Sequence, residues 1–447
     1  MDIIRGIIGV GIIIGIAFLL SNNKKKINWR LVLSGIGLQL VFAIFILKGD
    51  NLRQFFAPLG WVKDFFYWIS GFFVVVLNFT TEGAKFVFGD LALGSGSPGS
   101  LGTFFAFQVL PTIIFFASLM SILYYLGIMQ RVVQGMAWVM AKIMGTSGAE
   151  SLSCTANIFV GQTEAPLMIK PFIKGMTHSE LLTIMVGGMA TIAGGVMAAY
   201  IQILGSSYAA SLGLPIAQAQ QLFATQLLGA SVMAAPAALL ISKIIYPETS
   251  DPETKGTVKI SVEKNASNVV ESAANGASDG LSLALNVGAM LIAFIALIAL
   301  VNYILEGLGN ITGLNAALIS TYGQPLNFQL VIGLVLQFLA YGIGVPWQDS
   351  LNFGSLLGTK IVLNEFVAYL ELGKMITTKV MVSEKAILMA TYALCGFANF
   401  SSIAIQIGGL GPLAPSRKSD IAALGIKAVT GGTLATLMTA TLAGLLF

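Results

Sequence analysis

Two polar clusters stand out in a chain that is otherwise apolar. The first is Gln162, Thr163 and Glu164 in the run Gly161 to Pro166, GQTEAP, entered through the apolar stretch IFV. An amide both donates and accepts, a hydroxyl does the same, and a carboxylate accepts, so the trio suits a small solute with donors and acceptors along a planar edge. The second cluster lies in the other half of the chain. It comprises Asn364 and Glu365 in LNEFVAY, then Asn399, Ser401 and Ser402 beside Phe397 and Phe400 in CGFANFSS. A carboxylate with amide and hydroxyl neighbours can accept from two vicinal sugar hydroxyls, and aromatic rings can pack on a ring face. Blander uses exist for each group: capping of hairpin-tip amides for Glu164, helix–helix hydrogen bonding for Asn399, and core packing for the phenylalanines.

A cation site is indicated next to the first cluster. Asn157 and the carbonyls loosened before Gly161 are hard oxygen ligands, and Thr191 opens a break at TIAGG. Unwound carbonyls and half-helix ends coordinate sodium in secondary transporters. Proton coupling through Glu164 or Glu365 is the alternative use of the same groups. Enzymatic chemistry has no comparable support: Cys154 and Cys395 lack metal-ligand spacing, and His178, the one histidine, has no nucleophile with it. A channel would need a continuous polar pathway, whereas the polar groups gather at two breaks. Nothing in the sequence points to nucleic acid.

The elements that carry these clusters belong in a lipid bilayer. Of 447 residues, 56% are hydrophobic and 10% charged, against about 25% charged for soluble domains. Residues 181–242 contain no charged side chain; a span needs about 20 apolar residues. Glycine, at 50 residues, suits helices packing closely in lipid. Spans are expected at 3–21, 30–48, 102–130, 179–205, 220–246, 280–308, 383–409 and 421–447, with 61–88, 129–144 and 326–343 ambiguous between spanning and lying at an interface. The first is read as an uncleaved span, since NNKKK follows it without a small-residue cleavage site. Most Lys and Arg fall on one face if the N-terminus is outside, with Lys374, Lys379 and Lys385 as exceptions. Residues 247–280 read as a mixed-charge linker or short surface helix.

Residues 179–203 align without gaps to residues 383–407, sharing a leading Ser-Glu, a Met and a closing Ile-Gln-Ile. Each copy follows an interrupted segment containing a glutamate, Glu164 or Glu365. Duplicated halves with broken segments at matching positions mark the binding site of a secondary transporter. Gly161, Pro166 and Pro171 make the first interrupted segment a re-entrant hairpin more naturally than a span. An acidic residue at the bilayer centre costs about 2.5–3.5 kcal/mol by insertion scales, so such residues mostly line pathways.

At GQTEAP, NEFVAY and GFANFSS, in this order, the sequence resembles the concentrative nucleoside transporters, specifically the bacterial, sodium-coupled type, over nearly its whole length. The resemblance implies an all-α polytopic membrane protein with about eight transmembrane helices, two re-entrant helical hairpins and an inverted internal repeat. It implies scaffold helices in 1–128, a first repeat in 129–246, a cytoplasmic linker and scaffold span in 247–308, and a second repeat in 309–447. The ambiguous segments 129–144 and 326–343 become interfacial helices. Carried over by motif, Gln162, Thr163 and Glu164 bind the nucleobase, with Val196 packing against it; Glu365, Asn399 and Ser402 bind the ribose, and Phe397 lines the pocket. Sodium, the coupling ion, takes the Asn157 side chain, the Val160 and Ile192 carbonyls and the Thr191 hydroxyl. The implied protein is a homotrimer in a bacterial inner membrane that imports uridine- or cytidine-like nucleosides by an elevator-like movement. A proton-coupled nucleoside symporter and a transporter of another small polar solute are the alternatives.

Overall fold

A computed structural model of the chain describes residues 2–94, 99–102, 104–256 and 266–447. The described residues are 81% helical and form no strand. The principal helices are α1 (Asp2–Leu19), α2 (Trp29–Leu47), α3 (Trp61–Phe88), α4 (Leu110–Tyr125), α5 (Ile128–Met144), α6 (Gly148–Ala156), α7 (His178–Ala190), α8 (Gly194–Leu212), α9 (Ile216–Ile245), α10 (Val269–Ile311), α11 (Phe328–Gly342), α12 (Trp347–Val362), α13 (Glu365–Thr377), α14 (Glu384–Leu394), α15 (Phe400–Leu410) and α16 (Lys418–Leu445). Among the described residues, seven helical segments are long and apolar enough to cross a membrane.

Burial separates a core from a periphery. The apolar window of α9 is 100% buried within the chain and that of α10 only 17%; α9 is therefore enclosed by protein, and α10 presents its apolar surface to lipid or to another chain. Small residues make the enclosure of α9 close. A Cβ on Gly229 would meet the Tyr392 hydroxyl at 3.1 Å and Ile46 at 3.2 Å. The α4–α10 pair is packed backbone to backbone for the same reason: a Cβ on Gly280 would lie 2.8 Å from the Ile114 Cα. Helix α5, 17 residues long, buries Met129, Val133, Ala137, Met140 and Met144 on one stripe and leaves Arg131, Trp138 and Lys142 outside. That pattern, bounded by left-handed Gly127 (φ 74°) and Gly145 (φ 72°), suits a helix lying at an interface.

The two copies of the duplicated unit are visible as parallel element series. Helices α5 to α9 run amphipathic helix, short helix, broken helix, long helix; α11 to α16 follow that plan with two helices, α12 and α13, in place of the short one. The single long helix α10 and a short helix, Leu314–Tyr322, lie between them.

Several sequence expectations need correction. The segment 102–130 ends as a helix at Tyr125, because Gly127 adopts positive φ and a new helix starts at Ile128. Segment 61–88 is one helix of 28 residues, about 42 Å at 1.5 Å per residue, and so long enough to span. Residues 269–280 are the start of the 43-residue α10, capped by Asn268, and not linker. Residues 257–265 of the expected linker lie outside the described residues. By contrast, the break expected at TIAGG is present in 179–205, and 383–409 is broken at the matching place in CGFANFSS. The leading Ser-Glu pairs of the repeat are not equivalent: Thr177 caps α7 through a capping box with Glu180, whereas Ser383 itself caps α14. The ungapped register holds at the breaks, where Thr191 and Cys395 both end their helices.

Candidate functional site

The first interrupted segment is anchored at its base. Ser147 caps α6 in a capping box with Glu150, and the Glu150 carboxylate pairs with Lys243 at 2.7 Å, both buried. The Gly148 amide donates to the Thr254 carbonyl at 3.0 Å, tying the 247–256 loop to the same helix start. Helix α6 has 9 residues, too few to cross a bilayer, and ends at Asn157. The chain then stays irregular until a 3-10 turn at Ala165–Ile169, which carries Pro166. A Cβ on Gly161 would collide with the Glu164 carboxylate, so the glycine lets the tip fold back on itself.

The second interrupted segment is nearly continuous. Only Leu363 and Asn364 separate α12 from α13, and the Asn364 side chain caps α13 by accepting from the Val367 amide at 2.9 Å. Glu365 is thereby fixed as the first residue of a helix, where the N-terminal partial charge favours a carboxylate.

The two broken helices cross at their breaks. The Phe397 amide donates to the Thr191 carbonyl at 3.3 Å, and the Gly194 amide to the Phe159 carbonyl at 3.1 Å, so both breaks and the first tip form one junction. Gly396 is required there: a Cβ would stand 2.8 Å from the Met189 carbonyl oxygen.

At this junction the polar residues form a chain of hydrogen bonds. Tyr200 Oη donates to Glu365 Oε1 at 2.9 Å and Asn399 Nδ2 to Glu365 Oε2 at 3.1 Å. Asn399 Oδ1 accepts from the Ser402 amide at 2.9 Å, capping α15, and from Ser401 Oγ at 2.7 Å. Ser402 Oγ accepts from Gln162 Nε2 at 3.2 Å, and Gln162 Oε1 accepts from Gln406 Nε2 at 3.1 Å. Glu365, Asn399, Ser402 and Gln162 are all buried. The structure thus joins one expected nucleobase residue to the three expected ribose residues. Such a chain presents a carboxylate and amides to a polyol on one side and an amide pair to a planar heterocycle on the other.

The remaining expected residues divide. Val196 is buried in the first turn of α8, and Phe397 is half-buried at the break. Thr163 packs where a Cβ on Gly409 would touch it at 2.6 Å. Glu164 is exposed and does not join the chain; its Oε1 accepts from Thr163 Oγ1 at 3.0 Å.

Sequence reasoning missed two members of this chain and one buried residue in the helix that leads into Glu365. Tyr200 stacks on Tyr369 with ring centroids 4.2 Å apart while holding Glu365; a tyrosine in an apolar helix carries no signal of its own. Gln406 belongs to the repeated Ile-Gln-Ile, and its amide also donates to the Met185 carbonyl at 2.9 Å. Lys360, fully buried in α12, was legible as an ionisable residue in an apolar run.

The candidate cation residues fall on the first tip and on the break that ends α7. Asn157 is buried, its Nδ2 donates to the Ser153 carbonyl at 2.9 Å, and its Oδ1 has no hydrogen-bond partner. A buried carbonyl oxygen without a partner is costly, and a cation would satisfy it. Thr191, with its hydroxyl on the Gly187 carbonyl at 2.9 Å, and Ile192 are buried at the facing break. Val160 is half-buried in the tip turn. The donor set is all oxygen, as sodium requires. Cys154 and Cys395 are buried free thiols, and His178 opens α7 with Nε2 3.5 Å from the Asp420 carboxylate.

Comparison with known proteins bears on this geometry. Three family models match: Na+ dependent nucleoside transporter N-terminus over residues 8–91, Nucleoside recognition over 106–207, and Na+ dependent nucleoside transporter C-terminus over 226–444. An uncharacterised transporter of Haemophilus influenzae is 48% identical over 100% of this chain and 98% of its own length. The nucleoside permease NupC of Helicobacter pylori is 41% identical over 98% of this chain and 96% of its own. Sodium/nucleoside cotransporter 1 of Mus musculus is 38% identical over 98% of this chain, which spans 63% of that protein. Among solved structures, CNTnw in an inward-facing substrate-bound state superposes with a TM-score of 0.84 at 39% identity, covering 100% of this chain and 99% of that one. A CNTnw variant in an outward-facing state scores 0.85, so the match identifies the fold and not one conformational state.

Proposed function

The chain belongs to the Na+-dependent nucleoside transporter family, and from that premise we propose that it is a sodium-coupled symporter importing uridine- or cytidine-like nucleosides across a bacterial inner membrane. The observation that carries the substrate reading is the hydrogen-bond chain from Glu365 through Asn399 and Ser402 to Gln162. Glu365 and Asn399 meet the ribose hydroxyls, with Ser402 beside them and Phe397 against the ring. Gln162, Thr163 and Glu164 meet the base edge, and Val196 packs on its face. These groups satisfy one another, so a nucleoside must replace protein–protein hydrogen bonds with its own. An analogue lacking the hydroxyls leaves buried partners unpaired and is rejected, by about 10⁴ in favourable cases.

Sodium is co-transported cargo. The Asn157 side chain, the Val160 and Ile192 carbonyls and the Thr191 hydroxyl hold it, which couples the ion to the first tip and hence to the base. One charge moving inward through 100 mV supplies about 2.3 kcal/mol for accumulation. The interrupted segments act as re-entrant hairpins of a transport domain made of both repeats, which moves elevator-like against a scaffold within a homotrimer. The largely exposed α10 supports a scaffold role at the periphery.

Uptake of labelled uridine into proteoliposomes tests the proposal, with inward sodium gradients and with choline in place of sodium at constant pH. Sodium-dependent accumulation, competed by cytidine and not by uracil, is the expected result. Uptake under a proton gradient alone would replace sodium by protons in the reading, and competition by free bases or amino acids would replace the substrate.

A further inference from the structure

Lys360 has no part in the reading above, yet it lies in the helix that leads into Glu365. Its side chain is 0% exposed. The ammonium donates to the Ala393 carbonyl at 2.8 Å and to Thr436 Oγ1 at 3.0 Å, and among the described residues it forms no ion pair with a carboxylate. A buried cation without a counter-charge is costly, so the compensation must come from elsewhere. Two features of the fold supply it. Ala393 is in the last turn of α14, whose terminal carbonyls lack intrahelical partners and carry partial negative charge. Glu365, the carboxylate nearest to Lys360 in sequence, is buried at the start of α13, five residues on across the short break.

The first repeat offers the contrast. There Thr191 ends α7, the Asn157 oxygen at the end of α6 has no hydrogen-bond partner, and α6 has no lysine. There we placed a mobile cation; in the second repeat the end of the half-helix is already occupied by a cation on a side chain.

We propose that Lys360 is a positioning residue for the ribose end of the site, a tethered cation that occupies in the second repeat the station filled by the transported ion in the first and keeps Glu365 available as an acceptor for sugar hydroxyls. This deepens the nucleoside reading and rests on it. The ammonium braces α14 and α16 through Ala393 and Thr436, so the charge is fixed relative to the break that carries Asn399. Unlike the mobile ion, it is bonded to the chain and cannot leave the site.

The test compares uridine with 2′,3′-dideoxyuridine, which lacks the sugar hydroxyls that Glu365 would accept from. In Lys360→Met the ratio of kcat/KM for the two should fall about tenfold or more, because the loss falls on uridine alone. Thr436→Val, which removes one of the two ammonium partners, should lower the ratio by about threefold. An unchanged ratio in Lys360→Met, or an equal loss for both substrates, overturns the proposal. Should that variant fail to reach the membrane, Thr436→Val decides by the same criterion. A wild type that does not distinguish the two substrates refutes the ribose reading itself, before any variant is compared. Uptake without sodium refutes the ion reading of the first repeat and leaves the Lys360 comparison intact.

Discussion

The two interrupted segments share a plan and differ in stiffness. In the second, a two-residue break capped by Asn364 sets Glu365 on a helix, buried, with Tyr200 and Asn399 donating to its two oxygens. In the first, the chain is irregular from Asn157 to Glu164, Glu164 is exposed, and Asn157 keeps an oxygen without a partner. Duplication supplied the same frame twice, and side-chain chemistry made one copy a preorganised acceptor and the other an adaptable one. Preorganisation matters because donors already aimed at a group lose little freedom on binding. The adaptable copy is also where the candidate ion ligands gather, so its ordering can be made conditional on the ion.

The sharpest way to break this contrast is at Glu365. Glu365→Gln removes the charge while keeping the shape; uridine kcat/KM in proteoliposomes should drop by about 10³ or more, with the protein still folded. Normal uptake by that variant would sink the ribose assignment. At the other copy, Asn157→Ala should raise the sodium concentration for half-maximal uptake by about tenfold, with uridine KM at saturating sodium changed far less. A parallel change in both constants would mean that Asn157 serves the fold and not the ion. Tyr200→Phe deletes one donor to a charged acceptor, a loss of about 1.5–3 kcal/mol, so uridine affinity should weaken by roughly ten- to a hundredfold. The smallest effect is expected at the seam between the copies. A Cβ at Gly188 would stand 2.9 Å from Gln162 Cβ and 3.0 Å from Gln406 Nε2; overpacking of about 1 kcal/mol in Gly188→Ala should raise uridine KM severalfold, and an unchanged KM would show that the Gln162–Gln406 contact is dispensable.

Much of this is legible in the sequence. Glu164, Glu365 and Asn399 declared themselves because polar groups in an apolar chain are expensive, and Asn157 and Thr191 because they flank breaks in helices. The order of helices followed from runs of apolar residues, although periodicity could not separate spanning from interfacial segments and the boundaries at Tyr125 and Val269 were misread. Gly127, whose left-handed backbone stops α4, looks like any other of the fifty glycines until its φ is seen.

The sequence by itself determined the class of the protein, the duplication and the polar residues that had to be accounted for, since composition and spacing are local quantities. Which polar residue touches which was decided only by the tertiary structure. Tyr200 and Glu365, Gln162 and Ser402, and Lys360 and Thr436 lie in distant parts of the chain and meet because two broken helices cross at glycines that allow their backbones to touch. Hydrogen bonds act over about 3 Å, so a pairing across such sequence distances exists only once packing has placed both partners. For the same reason the exposure of Glu164, the solitude of the Asn157 oxygen and the burial of Lys360 are properties of the fold and not of the letters.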